Sequence, residues 1–271
     1  MFKKNLNNFI HENKIIMSSE KNVYGPFDNF GSVIVKKIIK NKSLVDSSSD
    51  FEKAGLLNFM INLFWRTPTS DSLLKELIQK EGLCNPYFGL SNIETGKRLT
   101  DKDESVKKIK EEILNNSEFA KHLKVIVANS DASKEEITKL IKFWKLFSLN
   151  TNSNYEFLIG DMPILFLNDK PTLDNVFEKV IFPLSKNKVL ILNKKNPLFI
   201  DDFTVNGINL CIMNISERFI GSGNKDILDF YVEYYKETIK ENDSKFTIGN
   251  LFEHINYLTK FKDMNDYQTN K

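Results

Sequence analysis

The longest apolar run in the chain, Tyr155-Glu-Phe-Leu-Ile-Gly-Asp-Met-Pro-Ile-Leu-Phe-Leu167, is broken once, by Gly160-Asp161-Met162-Pro163. Pro163 cannot donate a ladder hydrogen bond and rules out a regular helix through the segment. Two short strand pieces, around Phe157–Ile159 and Ile164–Leu167, joined at a bulge or kink fit best, with Gly160 supplying backbone freedom. Asp161 then stands where a strand is interrupted, between apolar neighbours, and a carboxylate there needs partners because burying an unpaired charge is costly. It either accepts backbone N–H bonds and fixes the kink, or it is a site residue at a strand end.

The rest of the chain decides what such a segment is embedded in. With 271 residues, 41% of them hydrophobic and 27% charged, there is ample material for a core. The reading adopted is a single domain over residues 1–271: an N-terminal segment (1–45), a helical part (50–150), a small sheet (155–193) and C-terminal helices (203–262). Lys and Arg number 38 against 36 Asp and Glu, a net charge of +2. No global positive field recruits nucleic acid, although a local patch could. Cys84 and Cys211 lie in no metal-ligand spacing and suit a reducing cytosol as free thiols. No apolar run approaches the roughly 18 residues of a membrane span. The N-terminus lacks the apolar stretch of a signal peptide, so a cytoplasmic protein is expected.

Along the chain, Phe2, Leu6, Phe9 and Ile10 have helical spacing, and Phe30, Val33, Ile34 and Ile38 suggest a short amphipathic helix. A Ser/Asp linker, Asp46-Ser-Ser-Ser-Asp50, can cap the next helix. That helix, about 51–65, is apolar on several sides and therefore central, and it ends in Arg66-Thr-Pro68. A second follows to Glu81-Gly82, and residues 82–100 read as a loop. Amphipathic patterns predict helices over 101–115, after Ser117, and from Ser133-x-x-Glu136 through Ile137, Leu140, Trp144 and Phe147. Strand-like stretches cover 155–167, 176–184 and 188–193, too closely spaced for crossover helices, which predicts an antiparallel hairpin or meander. Helices are expected again over 203–221, with Phe219 inward, over 224–241, with Phe230, Tyr231 and Tyr234 inward, and over 246–261. From Asp263 the tail reads as frayed. The fold class is α+β, mostly helical with a small antiparallel sheet.

Known catalytic signatures are missing. There is no GxGxxG and no Walker loop. His11, His122 and His254 fall in separate predicted helices, which argues against a His-based metal cage or a Ser-His-Asp triad. Glu178-Lys179 on the strand after Asp161 has the wrong spacing for an Asp…Glu-x-Lys nuclease, and nothing sets an Asp161–Glu178 separation for paired carboxylates.

Four motifs in order carry a resemblance. They are the helix ending Arg66-Thr-Pro68, the segment Phe157-Leu-Ile-Gly-Asp161-Met-Pro163-Ile, the turn Phe182-Pro-Leu-Ser185, and Val205-x-x-x-Asn209 followed by Arg218-Phe-Ile220. Over roughly residues 30–225 the chain resembles the bacterial domain-of-unknown-function family 4238. Members usually begin with a His-Tyr-x-Pro-Gln segment that this chain lacks, and Gly160 and Met162 stand where Ser and Asn are usual. The resemblance implies no established reaction, and the cofactor is left unknown. It implies a candidate set of Arg66, Asp161, Asn209 and Arg218.

Two functions are expected from these residues. In the first, the protein is a hydrolase or nucleic-acid-directed effector of a bacterial defence or toxin type. Asp161 then acts as acid/base or metal ligand, and Arg66 or Arg218 clamps an anion. In the second, it is a ligand-binding or protein-interaction module in which the same residues are structural. In either case the sequence predicts Arg66 beside Asp161, in one polar cluster with Asn209 or Arg218, because each charge needs a counter-charge in an apolar setting.

Overall fold

The computed structural model describes residues 8–11, 14–18, 25–40, 49–67, 69–85, 88, 90–92, 95–115, 117–149, 155–167, 178–240 and 247–269. These divide into two compact units, one of residues 1–35 and 49–141, the other of 36–48 and 142–271. The chain is α+β and mostly helical, as the sequence predicts.

The first unit opens with an antiparallel hairpin, β1 (Asn8–His11) and β2 (Lys14–Ser18). Phe9, Ile10 and His11 are therefore strand residues and not helical ones; Phe2 and Leu6 lie outside the described residues. Helix α1 (Gly25–Lys40) carries Pro26 in its first turn, where a missing N–H costs nothing. Its residues up to Val35 belong to this unit and those from Lys36 to the other. Helix α2 (Asp50–Trp65) starts on a complete capping box, the Ser49 hydroxyl accepting from the Glu52 N–H and the Glu52 carboxylate from that of Ser49. It buries Leu56, Leu57, Met60, Ile61, Phe64 and Trp65, which makes it central to this unit. Around it stand α3 (Thr69–Glu81), α4 (Glu104–Asn115), α5 (Ser117–Ala128) and α6 (Asp131–Leu140), with α5 and α6 in contact with α2.

The sixth helix is shorter than its periodicity predicts. It stops at Leu140, and after one 3-10 turn Trp144–Ser148 forms strand β3. Trp144, Leu146 and Phe147 satisfy a helical spacing and a strand equally well, and pairing with a fully buried neighbouring strand decides between them.

The second unit holds a four-stranded antiparallel sheet in the order β3-β7-β6-β5, with β5 (Leu165–Phe166), β6 (Val180–Ser185) and β7 (Lys188–Leu192). The β6–β7 hairpin pairs Ile181 with Ile191 and Phe182 with Leu190. Strand β7 is buried along its whole length, Lys188 included, whose ammonium donates to the Ile38 carbonyl. Burial pulls the Lys188 pKa down. The long apolar run does split into two strand pieces, but they enter different sheets. β4 (Ile159–Gly160) pairs with β8 (Ile220–Gly221), and β5 joins the large sheet. Helix α7 (Asp202–Ile215) lies against both, and α8 (Lys225–Lys240) and α9 (Ile248–Leu258) pack on α7. Phe157, Leu165, Ile181, Ile191, Val205, Ile208, Ile212, Phe252 and Ile255 form one apolar core.

Three C-terminal expectations are corrected. Helix α7 ends at Ile215, because Ser216 turns extended, and Phe219 is exposed. Phe230 and Tyr234 of α8 face outward, while Tyr231 is buried. The supposed frayed tail is helix α10 (Met264–Thr269), held by Tyr267, whose buried ring packs on Phe199, Tyr257 and Phe261.

Candidate functional site

Asn209 is the most enclosed of the four candidate residues. It projects from the middle of α7, fully buried, and spends both halves of its amide on the chain leading into β4. Its oxygen accepts from the Leu158 N–H at 2.9 Å, and its nitrogen donates to the Glu156 carbonyl at 2.8 Å. Those residues cannot use a full sheet ladder, so the side chain substitutes for a missing strand.

Three residues further on, Asp161 does the same job at the other end of β4. Its carboxylate accepts the Glu217 N–H at 3.1 Å, and its own N–H donates to the Phe219 carbonyl at 3.3 Å. Residues 217–219 are thus fastened at both edges. Arg218 between them is exposed and lies off the end of α7, so the single helix over 203–221 that the sequence predicts does not reach it. Gly160 permits the close approach, since a Cβ there would overlap the Ser216 Oγ and stand 3.1 Å from an Ile212 methyl. Among the described residues the buried Ser216 hydroxyl has no hydrogen-bond partner.

Arg66 finds its partner elsewhere. It caps the C-terminus of α2, and its guanidinium forms a bidentate pair with Asp28, both contacts at 2.8 Å. Asp28 lies in the first turn of α1, so each charge also sits at the favourable end of a helix dipole. Arg66 and Asp161 belong to different units, and each has a bonding partner within its own. The sequence prediction that they neutralise each other is replaced by these local pairings. The four residues therefore resolve into an ion pair in the first unit and, in the second, a clasp of Asn209 and Asp161 that displays Arg218.

Sequence reasoning passed over a second constellation. Asp201 is the N-cap of α7, accepting from the Thr204 N–H and hydroxyl at 2.9 and 2.7 Å. His254 of α9 places Nε2 at 3.1 and 3.0 Å from its two carboxylate oxygens. A carboxylate only accepts, so Nε2 carries the proton. Burial works against the charged form of Asp201, but the bonds from His254 and Thr204 outweigh it and hold the pKa at about 2. The imidazole packs 4.4 Å from the Phe203 ring. Asp201 three residues ahead of Thr204 at the head of an apolar helix is a legible cap signal; its pairing with a histidine 53 positions away is not.

Both cysteines are free, Cys211 buried, with burial pushing its thiol up to about 12, and Cys84 partly exposed. Among the described residues no group of three or more His, Cys, Asp or Glu side chains is placed to hold a metal ion, and no helix is long and apolar enough to cross a membrane.

A family model described as "Protein of unknown function (DUF4238)" matches residues 1–226. That span contains Arg66, Asp161, Asn209, Arg218 and Asp201, and stops short of His254. No curated protein and no solved structure matches the chain.

Proposed function

The chain belongs to the DUF4238 family of proteins of unknown function, and from its geometry we propose that it is a non-enzymatic ligand-binding or protein-interaction module of the bacterial cytoplasm. Arg66, Asp161 and Asn209 are structural in this reading, and Arg218 is the group presented to a partner. One observation carries it: the Asn209 amide and one carboxylate oxygen of Asp161 are committed to main-chain groups of the segment they would have to serve as catalysts. An acid/base group committed in this way is a poor proton shuttle, whereas a clasp that fixes a corner suits a surface that must keep its shape.

The enzyme reading, a hydrolase or nucleic-acid-directed effector of defence or toxin type, is favoured by the Asp201–His254 pair alone. A buried carboxylate orienting an imidazole is the supporting half of a general-base arrangement.

Asp161→Asn separates the two. The amide oxygen can still accept the Glu217 N–H, but the acid/base group is gone. With wild type, Asp161→Asn and His254→Gln expressed in bacteria, the module reading predicts no growth defect that either substitution relieves. A toxic wild type rescued by Asp161→Asn or His254→Gln, with the variant folded, contradicts it.

A further inference from the structure

The outward turn of Phe230 creates a feature that no candidate residue explains. A cavity of about 250 Å³ is lined by Tyr155, Asp226, Ile227, Phe230 and Tyr231. Asp226, Phe230 and Tyr234 follow one another at spacings of four along α8, so one ridge of the helix carries a carboxylate and then two rings. Phe230 lies parallel to Tyr234, at 3° and 6.0 Å between centroids, and meets Tyr231 edge-on at 5.2 Å. Tyr231 is itself fixed, its ring buried and its hydroxyl donating to the Asn206 amide oxygen. Tyr231, against which Phe230 packs, is therefore held in place before any ligand arrives. Phe230 nevertheless remains 56% exposed, an apolar surface left to water at the mouth of a cavity.

The chemistry of the walls restricts the occupant. Aromatic faces carry negative potential and attract cations, most strongly those that shed water easily. Among the described residues the one charged side chain of the lining is a carboxylate, Asp226, which repels anions and would lose hydration to a neutral apolar guest without compensation. We propose that this cavity is a binding site for a small alkylammonium ion of the trimethylammonium type, seated against Phe230 and Tyr155 with Asp226 as counter-charge. The cavity shares no residue with the Asn209–Asp161 clasp, so the proposal stands independently of the reading given above.

The test uses the full chain and three probes in titration calorimetry: choline, tetramethylammonium, and the neutral isostere 3,3-dimethyl-1-butanol. Both cations are expected to bind saturably, and the isostere at least about tenfold more weakly, the scale of a desolvated cation–π contact with its counter-charge. Phe230→Leu keeps apolar volume at an exposed position and removes the π face, and Asp226→Asn keeps shape and removes charge. Each is expected to weaken choline binding several-fold while circular dichroism and the melting temperature stay at wild-type values. The proposal is overturned if the isostere binds as tightly as choline, if both variants bind choline like wild type, or if neither cation shows saturable binding at low-millimolar concentration.

Discussion

The two ends of α7 are each fastened by an aspartate, and the fastenings differ in kind. At the N-terminus Asp201 is buried, caps the helix and faces a titratable imidazole, so its charge is itself an element of stability. Beyond the C-terminus Asp161 is half-buried and meets main-chain groups, where an uncharged acceptor of the same shape would serve. The comparison teaches that a carboxylate in an apolar stretch is informative about chemistry only once its partner is known. The residue that interrupts the most apolar strand holds a turn, and the one unnoticed at a helix start holds the histidine.

Breaking the N-terminal fastening should have the largest effect. Asp201→Ala removes a cap worth ~1–2 kcal/mol and the charge-assisted bonds to His254, worth ~1.5–3 kcal/mol, for a loss of about 4 kcal/mol in urea unfolding at neutral pH. The pH arm has a definite sign. The folded pKa of Asp201, about 2, lies below the ordinary carboxylate value. Its contribution is therefore complete above about pH 4 and lost as pH falls toward about 2. The gap in urea midpoint between wild type and Asp201→Ala should shrink through that window. A gap constant from neutral pH to acid would show that the carboxylate is not the source.

Asn209→Ala comes next. It leaves the Leu158 N–H and the Glu156 carbonyl without their buried partner, and about 3 kcal/mol should be lost, seen as a lower thermal midpoint. Asp161→Ala should cost about 1 kcal/mol, because the bond it removes lies near solvent. At the same corner Ser216→Ala is expected to act in the opposite direction. The Ser216 hydroxyl is buried without a partner, so its removal should raise stability by up to about 1 kcal/mol. A loss of that size from Ser216→Ala would reveal a partner for the hydroxyl.

Much of the fold was legible because local signals and tertiary packing agree. The capping of α2 by the Ser/Asp linker, the apolar α2, the tight β6–β7 hairpin and the strand break at Gly160-Asp161 all follow from spacing and backbone chemistry. Reading failed where two periods fit one stretch. Trp144–Ser148 suits a helix face until β7 supplies a partner strand, and the apolar pattern of α7 runs on past Ile215 although Ser216 turns extended. It failed again over charge partners. Arg66 and Asp28 are 38 positions apart, and the assumption that a charge in an apolar setting seeks another such charge overlooked helix ends, where Arg66 and Asp28 each gain from a dipole. The partners of the candidate residues are products of the fold.

The central claim is that Asp161 spends its carboxylate on holding residues 217–219 in place. Amide hydrogen exchange at Glu217 tests it most directly. Protection in wild type, retained in Asp161→Asn and lost in Asp161→Ala, is the predicted result. A Glu217 amide that exchanges as fast in wild type as in Asp161→Ala would contradict it, and would return Asp161 to the residues available for chemistry.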